Sequence, residues 1–353
     1  MKKALTYRLW LGAAALCLLS ASPAMAAAAG GVVGAGNFIH IVANLDRTIH
    51  FYHDVLGLEL ASFGGPPQAP KFAPNPPVAR LYAVPPSTSV GVAVLRLPER
   101  GVGLEFAEFR GVHQRSIRPR PEDPGAAVLI LEVRDLDAIV RRAQASQVPI
   151  LTVGGVPVVH DDTAGKTRSI TLADPDGYFI ELVQHEPSSD TAADATTPNV
   201  RHAQLMLSVA DTDRTVRFYH RLLGLPVQVD AAFSPDTTLS RVLGVPDASF
   251  RHSIATIPGT GFRYDFVEWK GGVRHPDPAR VFDRGVDVLR LTVGNVDRFV
   301  HRLKADGVHV ASTGDGPVAL NAAFHACILE DPNGLYIEPV PHLQPRRPRP
   351  QGR

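Results

Sequence analysis

The sequence predicts an α+β fold assembled from four copies of one unit, each a strand, a helix and further strands. Three observations lead there. The run Leu45–His53 recurs as Thr212–His220, and both copies continue into Leu-Gly-Leu, at Leu56-Gly57-Leu58 and Leu223-Gly224-Leu225. The stretch from Asp174 to Glu181, opening Asp-Pro-Asp-Gly, recurs from Asp331 to Glu338 as Asp-Pro-Asn-Gly. A weaker copy of the strand–helix layout lies inside each half, at Leu131–Val140 and Leu289–Val300. Self-similarity at this spacing is a primary guide to architecture.

The elements follow in chain order. Lys2, Lys3 and Arg8 precede a short apolar stretch, and Ala24-Met25-Ala26 offers a small-x-small cleavage site, so residues 1–26 read as an export signal. The apolar stretch falls short of the roughly 18 residues that a bilayer crossing needs. A periplasmic or secreted protein, free of the membrane after cleavage, is therefore expected. Cys17 follows Leu16, not a small residue, which argues against a lipid anchor and leaves Cys327 as the one thiol of the mature chain. No internal disulfide can form, and stability must come from core burial.

Helices are expected at Asp46–Val55, Leu136–Gln147, Asp213–Leu223 and Val296–Asp306, where apolar residues recur at helical spacing behind an acidic or amide cap. Leu104–Phe109 matches Tyr264–Trp269 as a strand, and the two Asp-Pro-x-Gly runs are turns in which Gly supplies the positive φ. Residues 186–199, rich in Ser, Thr, Ala and Asp, read as a linker between domains at 36–185 and 200–341, and 342–353 as a solvated Pro/Arg tail. The length of 353 residues suits two domains. Hydrophobic content of 44% and a formal net charge of +1 describe an ordinary globular protein and give nucleic acid no reason to bind.

The opening strand, the Asp-Arg-x-x-x-Phe-Tyr helix, Leu-Gly-Leu and the closing Asp-Pro-x-Gly-x-x-Ile-Glu hairpin, in that order and twice over, resemble the vicinal oxygen chelate superfamily of glyoxalases, bleomycin-resistance proteins and extradiol dioxygenases. The resemblance implies four βαβββ modules forming two tandem glyoxalase-like domains. Each domain curls into a cupped sheet whose concave face usually holds a divalent metal. Carried over by position, the four ligand sites fall on Asn37, Glu105, Val128 and Glu181 in the first half, and on Gln204, Asp265, Val288 and Glu338 in the second. Both sets lack histidine, and valine donates nothing. Imidazole suits Zn, Ni and Fe, whereas carboxylate and amide oxygens suit hard cations. The cofactor expectation is accordingly none, or a weakly bound divalent cation on Glu105 and Glu181.

Without a metal, two inward carboxylates repel, and one can hold a proton near neutral pH. Glu105 and Glu181 are then candidates for acid–base work, with the alternative that they only shape a pocket. Strand alternation puts Phe109 and Trp269 on the faces of Glu105 and Asp265, as walls of an apolar ligand site. The same parity turns Glu108, Glu268 and His40 toward the helix layer. His53 and His220 fall at helix ends and are expected on nearby carbonyls, while Arg110, Arg115 and Arg118 are candidates to clamp an anion. Two functions stay open: a bleomycin-resistance-like protein binding a small organic molecule, and a metal-dependent lyase, isomerase or dioxygenase acting through Glu105 and Glu181.

Overall fold

The computed structural model describes residues 30–61, 69–162, 165–186, 198–235, 237–246, 248–271 and 273–342. Residues 1–26, read above as an export signal, and most of the expected linker and tail lie outside them.

Four modules follow one another. The first comprises β1 (Val32–Ile41), α1 (Leu45–Ile49, continued by a π-helical turn, His50–Val55), β2 (Ala73–Pro74), α2 (Pro76–Leu81), β3 (Ser89–Arg96) and β4 (Gly103–Arg110). In the second are β5 (Ala127–Val133), α3 (Leu136–Ala145), β6 (Val158–Asp162), β7 (Gly165–Ala173) and β8 (Phe179–Glu186). The third runs through β9 (Val200–Val209), α4 (Thr212–Val216, with a π-helical turn at Arg217–Leu222), β10 (Val227–Val229), β11 (Ser234–Pro235), α5 (Thr237–Leu243), β12 (Ser249–Thr256) and β13 (Arg263–Lys270). The fourth holds β14 (Asp287–Val293), α6 (Val296–Ala305), β15 (Val318–Asn321), β16 (Phe324–Ala326), β17 (Leu329–Glu330) and β18 (Tyr336–Pro341).

The four expected helices form where their caps predict. Asn44, Asp135, Asp211 and Asn295 each accept from the backbone N–H three residues on, meeting a donor that the first helical turn leaves open. The repeated Phe-Tyr helix closes as a π turn, with Leu56 N bonding Phe51 O at 3.1 Å and Leu223 N bonding Phe218 O at 3.0 Å. Gly57 and Gly224, at φ 85° and 79°, end it in the left-handed conformation that only glycine adopts without strain. That geometry seats Tyr52 and Tyr219 on the sheet, where their hydroxyls donate to Asp174 at 3.3 Å and Asp331 at 3.1 Å, the first residues of the two turn motifs. His53 and His220 bond the carbonyls of Leu58 and Leu225.

The order of modules suggests that each half closes its own cup. The sheets are built crosswise instead. One sheet runs β17-β18-β14-β1-β4-β3-β2 and joins the first and fourth modules. The other runs β10-β12-β13-β9-β5-β8-β7-β6, with β11 on β12, and joins the second and third. The seams are antiparallel, β1 on β14 and β5 on β9. The loops after β4 and β13 cross between sheets and clasp each other: Ile117 N bonds Arg284 O at 2.8 Å, Asp283 accepts from Arg115 N at 2.9 Å, and Asp123 accepts from His275 N at 2.8 Å.

One continuous core joins the convex faces of both sheets through the helices, with Phe51, Tyr52, Phe106, Leu131, Tyr219, Phe266 and Phe299 among its members. Two smaller clusters line the concave faces, each roofed by a short helix absent from the expected set. Ala79 and Leu81 of α2 cover the first cup, and Leu239 and Leu243 of α5 cover the second. Parity holds along the strands. Glu108 and Glu268 turn to the convex side and accept from Leu45 N and Thr212 N at helix starts, both at 2.8 Å. His40 is also on that side, buried, its Nδ1 2.5 Å from Asp287. Among the described residues no helix is long and apolar enough to cross a membrane.

Candidate functional site

Crosswise pairing regroups the expected site residues. Asn37, Glu105, Phe109 and Glu338 meet in the first cup, with Gln204, Asp265, Val128, Trp269 and Glu181 in the second. Glu105 and Glu181 stand in different sheets. The expectation that they share a hollow with Asn37, and together hold a metal or act as an acid–base pair, is therefore overturned. Each cup instead unites two ligand positions from one half with two from the other.

In the first cup a cation is built in. Arg290 donates to both Glu105 oxygens, at 2.6 and 3.2 Å, and through Nε to Glu338 Oε2 at 3.0 Å. Asn37 Nδ2 adds a bond to Glu105 Oε2 at 2.8 Å. Glycines make room: a Cβ at Gly36 would lie 2.8 Å from the Arg290 side chain, and one at Gly103 would lie 3.0 Å from Asn37 Oδ1. Burial alone would raise Glu105, but Arg290 and Asn37 outweigh it and hold the carboxyl below its ordinary range. Glu338 goes the other way, because burial lifts it and Arg290, bonded to one oxygen only, does not restore it. The sequence reading missed Arg290, which lies two residues past Val288 on the same strand face. Its signal was present: a lone cation within the apolar run of Asp287–Val293.

The second cup has no such plug. Ile130 stands at the position of Arg290, and Arg201 and Arg263 stand where the first cup has Gly34 and Gly103. Gln204 Oε1 accepts from Arg263 at 3.1 Å. Glu181 lies beside Ile130 in the β5–β8 ladder, and Asp265 beside Met206 on β9. Both are buried, and among the described residues Glu181 Oε2 and Asp265 Oδ1 have no hydrogen-bond partner. Burial pushes Glu181 up to about 7; the Ser169 hydroxyl opposes this and the charge of Asp265 adds to it. Asp265 is raised by burial against the pull of His252 and Arg263. An unmet buried acceptor costs about 1–3 kcal/mol, so this cup carries a standing demand for a donor.

A cleft of about 520 Å³ opens at the end of the second cup. Ile130, Val183, Gln204 and Arg263 line it, together with residues 98–100 from the first cup's β3–β4 turn. Glu99 ties this turn to β9 by accepting from Ala203 N at 2.7 Å. A larger groove of about 680 Å³ runs along the outer helical side past Arg217 and Phe218, away from both carboxylate sets. Phe109 packs on Tyr82 under the first roof, and Trp269 donates to Ser208 Oγ at 3.0 Å under the second, so both are buried walls. Arg110 is bonded to Glu108 and Arg115 to Asp283, which leaves neither at a concave face.

The residues present do not fit a transition-metal centre. The first cup already holds a guanidinium between its carboxylates. The second offers two carboxylates with valine and isoleucine beside them, and its amide oxygen is bonded to Arg263. Among the described residues no group of three or more His, Cys, Asp or Glu side chains converges as metal ligands do.

Comparison with known proteins agrees with the fold. The family model for the Glyoxalase/Bleomycin resistance protein/Dioxygenase superfamily matches residues 36–182 and 201–338. A lactoylglutathione lyase of Arabidopsis thaliana is 25% identical over 194 residues, 53% of this chain and 54% of that protein. The chain thus spans about half the length of that relative. A 2-epi-5-epi-valiolone epimerase of Actinomyces sp is 28% identical over 153 residues, 43% of this chain and 80% of that one. Glyoxalase I from Zea mays superposes with a TM-score of 0.54 at 17% identity, covering 87% of this chain and 92% of that one, a likeness of fold alone. Repeated motifs, cupped sheets and a family match across both halves lead to one statement: the chain belongs to the glyoxalase/bleomycin resistance protein/dioxygenase superfamily.

Proposed function

We propose that the second cup binds a small organic molecule and that Glu181 exchanges a proton with it, without a transition metal. One observation carries the reading. Glu181, raised to about 7, keeps an oxygen that no donor among the described residues satisfies, near Asp265, a second buried carboxylate with an unpartnered oxygen. A carboxyl that is half protonated near neutral pH can take a proton from carbon beside a carbonyl and return it. Such general acid–base catalysis contributes roughly 10²–10⁴-fold. Arg263 and His252 both act on Asp265, and in this reading they would meet negative charge that develops on the ligand. Relatives named as a lyase and an epimerase support chemistry of this coarse kind. In this reading the first cup is structural, its two carboxyl groups bonded to Arg290.

The test is proton exchange. A panel of 2-oxo acids and hydroxyketones is incubated with the protein in D₂O and followed by NMR. The proposal expects deuterium uptake at carbon beside the carbonyl of at least one member, and a loss of about 100-fold or more in Glu181→Gln. Equal exchange by that variant, or none on any member, removes the proton-transfer role. We also propose export to the periplasm or the medium. Mass analysis of the protein from that compartment should give a chain beginning after Ala26, and recovery of the intact chain from the cytoplasm alone contradicts it.

A further inference from the structure

The two copies of the Phe-Tyr helix differ in charge, and the difference falls on the outer groove of about 680 Å³. In the first half Arg47 donates to Asp176 at 3.1 Å, and His50 bonds Asp54 at 2.6 Å. Those charges are settled within the helix and with the turn beside it. The residues matching Arg47, Asp176, His50 and Asp54 are Arg214, Asn333, Arg217 and Arg221. Both acids are gone, and three arginines stand where there was one. Asn333 is taken up by Ala210 N, Thr215 and Asp331. The three arginines are exposed and all line the groove, and among the described residues no acceptor bonds their guanidinium groups. The first half folds the same helix without this triad, so the scaffold does not require it. The acids in the same lining are engaged: buried Asp331 accepts from Tyr219, Asn333 and Leu335 N, and Glu330 bonds His309 at 2.9 Å. That leaves Asp306 as the open carboxylate among the described residues of the groove. Buried Phe218 and half-buried Leu222 and Val308 supply apolar lining.

We propose that this groove is a second ligand site, for a small organic phosphate held at its anionic end by Arg214, Arg217 and Arg221 and at its apolar body by Phe218, Leu222 and Val308. The site is separate from the second cup and does not depend on the proton-transfer reading. A phosphate monoester carries nearly two negative charges at neutral pH and three acceptor oxygens. The planar fork of a guanidinium matches such a group with parallel hydrogen bonds. Residues three and four apart share a helix face, so one anion can meet more than one fork. A single exposed ion pair contributes little. Several converging arginines beside an apolar surface contribute more, and a volume of about 680 Å³ suits a ligand of that class.

Binding is measured calorimetrically at one ionic strength with phenyl phosphate, inorganic phosphate, phenylacetate and phenol. The proposal expects phenyl phosphate to bind at least about tenfold more tightly than each of the others. The double variant Arg217→His/Arg221→Asp gives these exposed positions the residues that the first half already carries, and it should abolish the preference. Leu222→Asn should bring phenyl phosphate down to the level of inorganic phosphate. Arg47→Gln, on the matching helix, should change nothing, which separates the groove from a general attraction to positive charge. Phenylacetate binding as tightly as phenyl phosphate overturns the assignment to a phosphate, and inorganic phosphate doing so overturns the apolar contact. No binding of phenyl phosphate, an unchanged preference in the double variant, or an equal loss in Arg47→Gln overturns the site itself.

Discussion

Replacing Arg290 by methionine tests the first cup most sharply. The substitution keeps most of the side-chain volume and removes the guanidinium that bonds Glu105 at 2.6 and 3.2 Å and Glu338 at 3.0 Å. The three side chains are only 21%, 13% and 1% exposed, so solvent screening discounts the effect little. Two carboxylates are then left buried together, and removing one partner of such a set costs about 3–5 kcal/mol. The loss depends on pH. In the native protein Glu105 lies below its ordinary value of 4.5, so its contribution is present above that value and fades as the pH falls through its lowered pKa. In the variant both carboxyls are raised, and the penalty is largest at neutral pH and relieved as acid protonates them. Urea unfolding at several pH values should show a deficit near pH 8 that shrinks toward pH 5. The triple variant Glu105→Gln/Arg290→Met/Glu338→Gln should recover most of the loss. A single variant as stable as the native protein at every pH refutes the reasoning.

Other outcomes follow from the same geometry. In Arg290→Met the amide and two carboxylates become a set of oxygen donors for a hard cation, so Mn²⁺ should raise the melting temperature of the variant and not that of the native protein, read by calorimetry. Glu181 is protonated in the folded state up to about 7 but ionises near 4.5 when unfolded, so its contribution is full below 4.5 and is lost as pH rises through 7. Glu181→Gln should therefore be the more stable protein above pH 7 and lose that advantage by about pH 5, in melting curves taken across that range. Tyr52→Phe and Tyr219→Phe each remove a donor from a buried aspartate and should cost about 1–3 kcal/mol in chemical unfolding; no change in either means that the π turn is held by packing alone.

Much of the fold was legible because its signals are local. Asn44, Asp135, Asp211 and Asn295 announce helix starts, Gly57 and Gly224 announce helix ends, and alternation along β4 and β13 put Glu108 and Glu268 on the helix side. The pairing of modules was not legible. Four near-equal units present similar strand edges, and the choice between neighbours is made by distant contacts such as the Asp283 and Asp123 clasps. Counting joined Glu105 with Glu181 because both lie in the first half of the chain, whereas they stand in different sheets. Arg290 escaped because its guanidinium reaches back from the next position on the strand, where no family pattern directs attention. The roof helices α2 and α5 were missed because each is only one or two turns long, at Pro76–Leu81 and Thr237–Leu243, too short to show a period. His40 was placed rightly on the convex side, but its partner Asp287 comes from the fourth module and left no mark in the local sequence.

Carboxyl-detected NMR titration compares the two cups directly. The crosswise account predicts that Glu181 titrates near 7, that Asp265→Asn lowers this midpoint, and that Arg290→Met leaves it alone. It predicts that Glu105 titrates below 4.5, rises in Arg290→Met, and is indifferent to Glu181→Gln. A Glu105 midpoint that moves when Glu181 is changed contradicts it, because the two glutamates would then share one hollow.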